Sequence, residues 1–485
     1  MRRSPRVGAV PRSADVRGDT IAAMATAPGR GALAMVRLSG PDARAIAMRV
    51  GVTAELTPRR ATRVTLTEPD ATTSPTASQE RASSAARAID DALVTWFPAP
   101  HSATGEDVIE FSVHGGSYVS TALMAALMTA GARAALAGEF TERAVRNGKL
   151  DVLQAEAVAD LIDARSRATH RTALRQLSGT LSRRLLALRD ALLEVEALIA
   201  YEIDFPEEDD GPQPRARAVA AADRVIEALT ALGATLPAAE LAREGVTVVL
   251  AGAPNAGKSS LLNALVGDQR AIVSEVPGTT RDAIEVVIDA DPLPWRLVDT
   301  AGLRESDDTL ERLGLEVSAR WLARAQVVLV CGESEAALRA AAVAVGVGRG
   351  GRQLLVRTKS DLALESAGAA DAAGAADTSR AIPVSALTGA GLPALRDAIA
   401  AVVREAYPQP AEDQPVVTRA RHVAALSAAR TEVEAFREAW VLDALPAPVA
   451  ATHLRAAIHS LDELTGGIDI EDVLERVFRA FCIGK

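Results

Sequence analysis

The chain is poor in lysine, cysteine and aromatic residues, and each shortage restricts what it can be. Aromatic residues make up 3% of its 485 residues, and four lysines among 53 basic residues leave 49 arginines. The lysines are Lys149, Lys258, Lys359 and Lys485. Arginine is a poor substitute where a compact ammonium must meet a ligand. These four positions are therefore the first candidates for function.

The other shortages exclude whole classes of protein. Cys331 and Cys482 lie too far apart in the sequence to suggest a disulfide framework. The lack of such a framework fits a reducing cytosol, so we expect a cytoplasmic protein. We find no apolar run approaching the roughly 20 residues of a membrane span, so we expect no membrane. The net charge of −10 excludes a generally basic coat for nucleic acid but leaves a local patch open. The six histidines lack metal-ligand spacing, so we predict no zinc or iron site.

The hydrophobic pattern changes along the chain and predicts several domains. Residues 1–18 are basic and interrupted by proline, which favours a disordered extension over the alternative of an organelle presequence. The pattern is mixed α/β over 19–149, helical over 150–243, alternately strand and helix over 244–407, and helical again over 408–485. We predict a multidomain α+β and α/β protein whose mostly parallel sheet is inserted into one helical domain.

A phosphate-binding loop opens the α/β segment. Residues 252–259 (GAPNAGKS) fit G-x-x-x-x-G-K-[ST], follow a predicted strand at 246–250 and precede a predicted helix at 259–266. Backbone N–H groups of such a loop hold phosphates, Lys258 adds charge at the β- and γ-phosphates, and the Ser259 hydroxyl ligates Mg²⁺. The predicted nucleotide contacts here are Asn255, Ala256, Gly257, Lys258, Ser259 and Ser260.

Two motifs downstream match the γ-phosphate elements of a nucleotide hydrolase. Residues 299–302 (DTAG) end a predicted strand and place a carboxylate near Mg²⁺ and a glycine N–H near the γ-phosphate. In the earlier loop 278–282 (GTTRD), Thr280 would ligate Mg²⁺ only while the γ-phosphate is present. The predicted contacts are Ser274, Glu275, Val276, Pro277, Gly278, Thr279, Thr280, Asp299, Thr300, Ala301 and Gly302.

The base-recognition loop departs from the usual N-K-x-D. It consists of Thr358, Lys359, Ser360 and Asp361. Asp361 is expected to accept hydrogen bonds from the guanine N1–H and N2–H₂ groups, while the aliphatic stem of Lys359 covers the base. Thr358 either keeps the structural bond of the usual asparagine with less reach, or weakens purine selectivity. A second base loop is predicted at Ser385, Ala386 and Leu387, so guanine is preferred to adenine and the nucleotide is GTP.

Together with motifs elsewhere, this series resembles the MnmE (TrmE) family of bacterial tRNA modification GTPases over residues 19–485. The other motifs are DTI at 19–21, APGRG at 27–31, TGEDV at 104–108, HGG at 114–116, GEFTERA at 138–144, LDVLQAEAVADLIDA at 150–164, DFP at 204–206 and FCIGK at 481–485. The resemblance implies an N-terminal α+β domain that binds tetrahydrofolate and forms a homodimer, a central helical domain, and a Ras-like G domain inserted in it.

The resemblance also implies a reaction and its partners. With the flavoprotein MnmG, in a heterotetramer, such a protein adds a carboxymethylaminomethyl or aminomethyl group to C5 of the wobble uridine of certain tRNAs. The one-carbon donor is a 5-formyl- or methylene-tetrahydrofolate. The folate contacts implied by motif position are Arg37, Glu110, Lys149 and Lys485. Cations suit the carboxylates of the folate tail, and a carboxylate suits the donors of the pterin.

For the G domain, the resemblance implies activation by potassium and a cycle of G-domain dimerisation. The implied K⁺ ligands are Asn255, Ser274, Val276 and Thr279. The cation would supply the charge that an arginine finger provides in other GTPases.

The implied catalytic residues are Lys258, Thr280, Glu311 and Cys482. Glu311 matches the position proposed to orient the attacking water. Cys482 has two interpretations, a buried small residue or a participant in the modification chemistry. Cys331, at the end of an apolar strand, is predicted to serve packing alone.

Two other functions compete with this one. A regulatory GTPase of ribosome assembly, without modification chemistry, would be expected to have an RNA-binding module such as a basic KH domain, and no segment resembles one. A folate aminomethyltransferase with an inactive nucleotide site is disfavoured by the complete series of nucleotide motifs.

Overall fold

A computed structural model describes most of the chain. The described residues are 18–69, 88–204, 215–267, 271–272, 284–299, 320–346, 352–363, 381–411, 414–466 and Gly484. Those up to Glu156, with Gly466 and Gly484, form one compact unit, and those within Ala157–Thr465 form the other. Several predicted site residues lie outside the described part: residues 274–280 and 300–302, Glu311, Cys482 and Lys485.

The first unit is a mostly antiparallel sheet with helices. Its elements are β1 (Ile21–Met24), β2 (Leu33–Ser39), α1 (Ala43–Arg49), β3 (Thr62–Thr67), β4 (Ala88–Phe97), β5 (Val108–His114), α2 (Ser117–Thr129), β6 (Arg133–Ala134) and α3 (Glu139–Arg146). The strand order is β3-β4-β5-β2-β1-β6, and only β1 and β6 pair in parallel. Alternation along β2 and β5 buries Val36, Leu38, Ile109 and Phe111 in one core. The opposite face of these strands therefore presents Arg37 and Glu110.

A buried network of charges fixes α3. Arg143, whose side chain is 9% exposed, donates to Asp19 at 2.6 Å and to Glu106 and Glu139 at 3.1 Å. Arg133 donates to Glu139 at 2.5 Å and to Asp19 at 2.6 Å. Burial raises the pKa of Asp19 and Glu139, but hydrogen bonds from the arginines outweigh it, so both pKa values are lowered. The motifs at 104–108 and 138–144 thus include a structural ion-pair network.

A helical run follows in the chain. Its helices are α4 (Val152–Asp163), α5 (Arg167–Leu177), α6 (Thr180–Asp204), α7 (Arg215–Gly233) and α8 (Leu236–Glu244). By length and composition one segment, Ala216–Glu244, would be long and apolar enough to cross a membrane, which corrects the expectation that no run approaches that length. Such a segment is weak evidence for a span, because core helices of bundles meet the same criterion. Here it is divided into two helices, α7 and α8.

The α/β segment forms a second sheet. Its elements are β7 (Val246–Gly252), α9 (Lys258–Gly267), β8 (Ala271–Ile272), β9 (Ile284–Ile288), β10 (Trp295–Asp299), β11 (Val327–Gly332), α10 (Glu335–Val345), β12 (Arg352–Arg357), β13 (Ile382–Pro383) and α11 (Leu392–Ala406). The strand order is β13-β12-β11-β7-β10-β9-β8, and only the pairs that include β9 are antiparallel. The prediction of a mostly parallel sheet is confirmed. Because the carboxyl ends of the parallel strands meet at one edge, the loops after them converge there.

The last described helices are α12 (Ala420–Val441) and α13 (Ala447–Thr465), and they pack against α6 and α7. Arg455 of α13 donates to Glu196 of α6 at 2.6 Å, and Arg437 of α12 pairs with Asp223 of α7. Helices that precede the α/β segment in sequence therefore contact helices that follow it.

Candidate functional site

The phosphate-binding loop connects β7 to α9. Lys258, the first residue of α9, is 4% exposed, and its Nζ donates to the carbonyl oxygens of Gly252 at 3.0 Å and Ala253 at 2.8 Å. Gly252 has φ +151°, and a Cβ there would lie 2.3 Å from the carbonyl oxygen of Cys331. Glycine is therefore required where the loop leaves the sheet, and the loop holds the ammonium of Lys258 in a narrow pocket.

Ser259 and Asp299 are brought together from α9 and β10. The Ser259 hydroxyl donates to Asp299 Oδ2 at 2.5 Å, and Asp299 is 1% exposed. A hydroxyl and a carboxylate oxygen are ligands that Mg²⁺ prefers, directly or through water. The pair therefore fits a Mg²⁺ ion held beside the nucleotide phosphates, although the second predicted ligand, Thr280, lies outside the described residues.

Asn255 occupies an exposed position in the same loop. Its backbone has φ +61°, a left-handed conformation that asparagine tolerates better than most residues. Within the described part of the chain its side chain has no hydrogen-bond partner, so its amide oxygen is available to a cation. Ser274, Val276 and Thr279, the other predicted K⁺ ligands, lie outside that part.

The threonine that replaces asparagine in the base loop has a definite partner. Thr358 is 5% exposed, and its Oγ1 donates to the carbonyl oxygen of Ala256 at 2.8 Å. Its backbone N–H donates to the carbonyl oxygen of Gly332 at 3.0 Å. Thr358 thus joins the base loop to the phosphate loop through a structural bond, and its effect on purine selectivity stays a prediction.

Asp361 lines a cavity of about 160 Å³ beside this loop. The other lining residues are Gly257, Ser260, Leu261, Thr358, Lys359, Leu362, Val384, Ala386 and Leu387. Leu362 and Leu387 are 72% and 86% exposed and form an apolar rim suited to a flat base. Two predicted contacts, Ser360 and Ser385, do not line the cavity. Ser385 is fully buried and shapes its loop by donating its N–H to the Ala390 carbonyl oxygen at 2.9 Å.

Glu333 joins the base loop although no sequence pattern pointed to it. It follows β11, and its carboxylate pairs with the ammonium of Lys359. The contact arises because β11 lies beside β12 in the sheet, so the loops after the two strands are neighbours. Glu333 therefore fixes one end of the side chain that is predicted to cover the base.

We expect guanine N7 to contribute little to binding, because the single hydroxyl proton of Thr358 is donated to Ala256. Competition titrations should give GDP and 7-deaza-GDP dissociation constants within about twofold of each other. In Thr358→Asn, the two amide hydrogens can serve Ala256 and N7 together, so 7-deaza-GDP should bind roughly three- to tenfold more weakly than GDP. Thr358→Ser is the matched control and should not discriminate. Strong discrimination by the unaltered chain would contradict this prediction.

The first unit brings together two of the four predicted folate contacts. Arg37 of β2 donates to Glu110 of β5 at 2.7 Å, and their side chains are 23% and 19% exposed. The Arg37 guanidinium lies 5.8 Å from the ring centroid of Phe140 in α3. Lys149, beyond the end of α3, lies against Gly105, and no contact between the described residues joins it to Arg37 or Glu110.

Gly484 lies against the end of β1. Its φ is +98°, and a Cβ there would lie 1.9 Å from the carbonyl oxygen of Met24. In the neighbouring register position, Ala23 of β1 is opposite Arg37 of β2. The residue before Lys485 is therefore close to the strand pair that includes Arg37.

Cys331 is the one free cysteine in the part that the structure describes, and it is 1% exposed at the end of β11. Burial raises the pKa of its thiol to about 12. A protonated, inaccessible thiol is unreactive, which confirms that Cys331 serves packing. Within the described ranges, no group of three or more His, Cys, Asp or Glu residues could hold a metal ion.

Two family models and several known proteins that are similar to this chain belong to one family. The family model described as the MnmE helical domain matches residues 152–482, and the model described as the GTP-binding protein TrmE N-terminus matches residues 20–149. Proteins called tRNA modification GTPase MnmE are similar over 96% of this chain and 99% of their own length. The one from Laribacter hongkongensis is 40% identical, and those from Neisseria meningitidis serogroup B and Methylobacterium radiotolerans are 41% and 42% identical.

Proposed function

Because the chain belongs to the MnmE family of tRNA modification GTPases, we propose that it works with the flavoprotein MnmG on the wobble uridine. The product has a carboxymethylaminomethyl or aminomethyl group at C5 of this uridine in certain tRNAs. A tetrahydrofolate derivative donates the one-carbon unit. The chain hydrolyses GTP in this process, which takes place in the cytoplasm. The observation that carries the hydrolytic part is the convergence of Lys258, Ser259 and Asp299 at one sheet edge.

Each of these side chains has a distinct part in hydrolysis. Lys258 places its buried ammonium at the β- and γ-phosphates, where it stabilises charge that develops in the transition state. Ser259 and Asp299 would hold Mg²⁺, directly or through water. Asp361 accepts hydrogen bonds from the guanine edge, and Thr358 keeps the base loop joined to the phosphate loop.

We also propose that K⁺ takes the place of an arginine finger. The exposed, left-handed Asn255 supports this assignment, because its amide oxygen has no other partner among the described residues. Ser274, Val276 and Thr279 would complete the shell when two G domains dimerise. Glu311 would orient the attacking water.

The potassium proposal predicts a difference between two cations of the same charge. GTP hydrolysis by the purified chain should be at least about tenfold faster in KCl than in NaCl at equal ionic strength, because Na⁺ is too small to span the same ligands. Phosphate release measured in both salts checks this. In Asn255→Ala the two rates should become similar, whereas equal rates for the unaltered chain would reject the assignment of Asn255.

We propose that the folate contacts are Arg37, Glu110, Lys149 and Lys485. We also propose that the first unit forms a homodimer, and that the homodimer assembles with MnmG into a heterotetramer. Arg37 and Glu110 form a partly exposed pair in which a cation and a carboxylate are adjacent. Gly484 against Met24 supports a place for the chain end near this pair. These groups would bind and orient the folate, which supplies the one-carbon unit when bound. We also propose that the thiol of Cys482 takes part in the modification chemistry.

The whole proposal is tested by deleting the gene. Nucleoside mass spectrometry of total tRNA should then show loss of the C5 substituent at the wobble uridine, and the unaltered gene on a plasmid should restore it. A strain that keeps the substituent but accumulates unassembled ribosomal subunits would instead favour the ribosome-assembly alternative.

A further inference from the structure

A large basic cleft lies within the second unit, away from the nucleotide loops. Its volume is about 1240 Å³, and its walls come from α5, from the turn between β9 and β10, and from α11. On α5 the lining positions 167, 170, 171 and 174 follow i, i+3, i+4 and i+7 and so form one helix face. On α11 the positions 396, 400 and 404 repeat every fourth residue, which also defines one face.

Five arginines line this cleft on a chain whose net charge is −10. Arg167 pairs with Asp289 at 3.4 Å, and Arg396 donates to the carbonyl oxygen of Leu265 at 3.3 Å. The other three, Arg165, Arg171 and Arg404, are exposed and have no acidic partner among the described residues. Asp289, Asp291 and Asp397 also line the cleft, so arginines exceed acids there by five to three.

The inner wall of the cleft includes a buried tryptophan. Trp295 is 2% exposed, and its indole Nε1–H is buried without an acceptor among the described residues, so it is not a group that a ligand in the cleft would touch. The groups that the cleft offers to a ligand are the exposed guanidinium groups of Arg165, Arg171 and Arg404. Cations on separate walls are expected for a site that takes a chain of phosphates.

We propose that this cleft binds the phosphate backbone of the tRNA on which the protein acts. The exposed guanidinium groups stand on separate walls, Arg165 and Arg171 in or just before α5 and Arg404 on α11, and a polynucleotide presents successive phosphates that such separated cations can contact. Arginine suits this role because its fork of donors matches phosphate oxygens. The inference rests on the proposed function for the choice of RNA, but it concerns binding and not the modification chemistry.

Site-specific photo-cross-linking tests the position directly. A benzoylphenylalanine at Leu174, which lines the cleft and is 44% exposed, should cross-link to tRNA in the full-length protein. The matched control is Leu186 on α6, which is 45% exposed and does not line the cleft. Equal RNA cross-linking at the two positions would overturn the proposal, and so would cross-linking of Leu174 to protein instead of RNA.

Charge removal provides a second, independent test. In anisotropy titrations of labelled tRNA, changing Arg165, Arg171 and Arg404 together to glutamine should weaken binding at least about tenfold and reduce the salt-dependence slope by roughly 2 to 3. The matched control changes three exposed arginines elsewhere, Arg60, Arg224 and Arg243, and should lose less than about twofold. GTP hydrolysis should be unchanged in both variants. Three results would each overturn the proposal: equal losses of tRNA affinity in the two variants, no loss in either variant, or no tRNA binding by the unaltered chain at low salt. Persistence of the wobble modification after gene deletion would reject only the proposed function.

Discussion

Changing Lys258 to arginine is expected to reduce GTP hydrolysis at least about 100-fold although the charge is kept. Lys258 is 4% exposed, and its ammonium donates to the carbonyl oxygens of Gly252 and Ala253. A planar guanidinium is wider, and its fixed donor directions cannot reproduce these bonds and also reach a phosphate. Loss of one preorganised group that stabilises transition-state charge typically lowers the rate by about 100- to 1,000-fold. Single-turnover hydrolysis with saturating GTP measures the effect.

The control for this prediction is the same change at Lys359. Its ammonium pairs with Glu333 at a partly exposed position, where the side chains are 39% and 50% exposed. An exposed ion pair of this kind contributes about 0 to 1 kcal/mol, and arginine can form it too. Lys359→Arg should therefore change hydrolysis less than about fivefold. Full activity in Lys258→Arg would show that the scarcity of lysine has no functional meaning at that position.

Changing Gly484 to alanine is expected to abolish most wobble modification while GTP hydrolysis continues. A Cβ at this position would lie 1.9 Å from the carbonyl oxygen of Met24. The backbone φ is +98°, a conformation that residues with a Cβ rarely adopt. Relieving the overlap costs about 2 kcal/mol or more of free energy. That cost would lower the population in which residue 484 lies against Met24 by roughly 30-fold. If the chain end completes the folate site, modification should fall at least about tenfold in a complemented deletion strain.

A matched glycine separates the overlap from the backbone cost. Gly346 has φ +80°, and a Cβ there would meet no atom within 4 Å. Gly346→Ala therefore has a similar conformational penalty without the overlap, and modification should stay near normal. Gly484→Ala with normal modification would show that the chain end does not need its place beside β1. Loss of hydrolysis as well would point to general misfolding rather than to this contact.

The local parts of the fold and site could be predicted from the sequence. The strand before the phosphate loop, the helix after it and the mostly parallel sheet follow from short apolar runs and from one spacing of glycine, lysine and serine. Lys258, Ser259 and Asp299 were all predicted, and the structure places the last two in contact. Each of these residues belongs to a short motif next to an apolar run, so pattern is sufficient to find it, although Ser259 and Asp299 come together only in the folded sheet.

Most of the missed features depend on contacts between elements that no motif links. Glu333 meets Lys359 only because β11 and β12 are neighbours in the sheet. The partners of Arg143 include Asp19, more than a hundred residues away, and the cleft arginines come from α11 and from within and just before α5. The apolar segment Ala216–Glu244 was missed for the opposite reason, because small alanines raise its mean hydropathy without forming an obvious run.

By itself the sequence determined which chemistry is available: a phosphate loop with its lysine and serine, a carboxylate in the predicted base loop, and a short list of lysines as candidates for function. Only the tertiary structure decided how that chemistry is arranged. It assigned the Thr358 hydroxyl to Ala256, gave Lys359 a partner in Glu333, and gathered five arginines along one cleft. The physical reason is that residue type sets which interactions are available, whereas the free energy of packing selects which distant groups come close enough to make them.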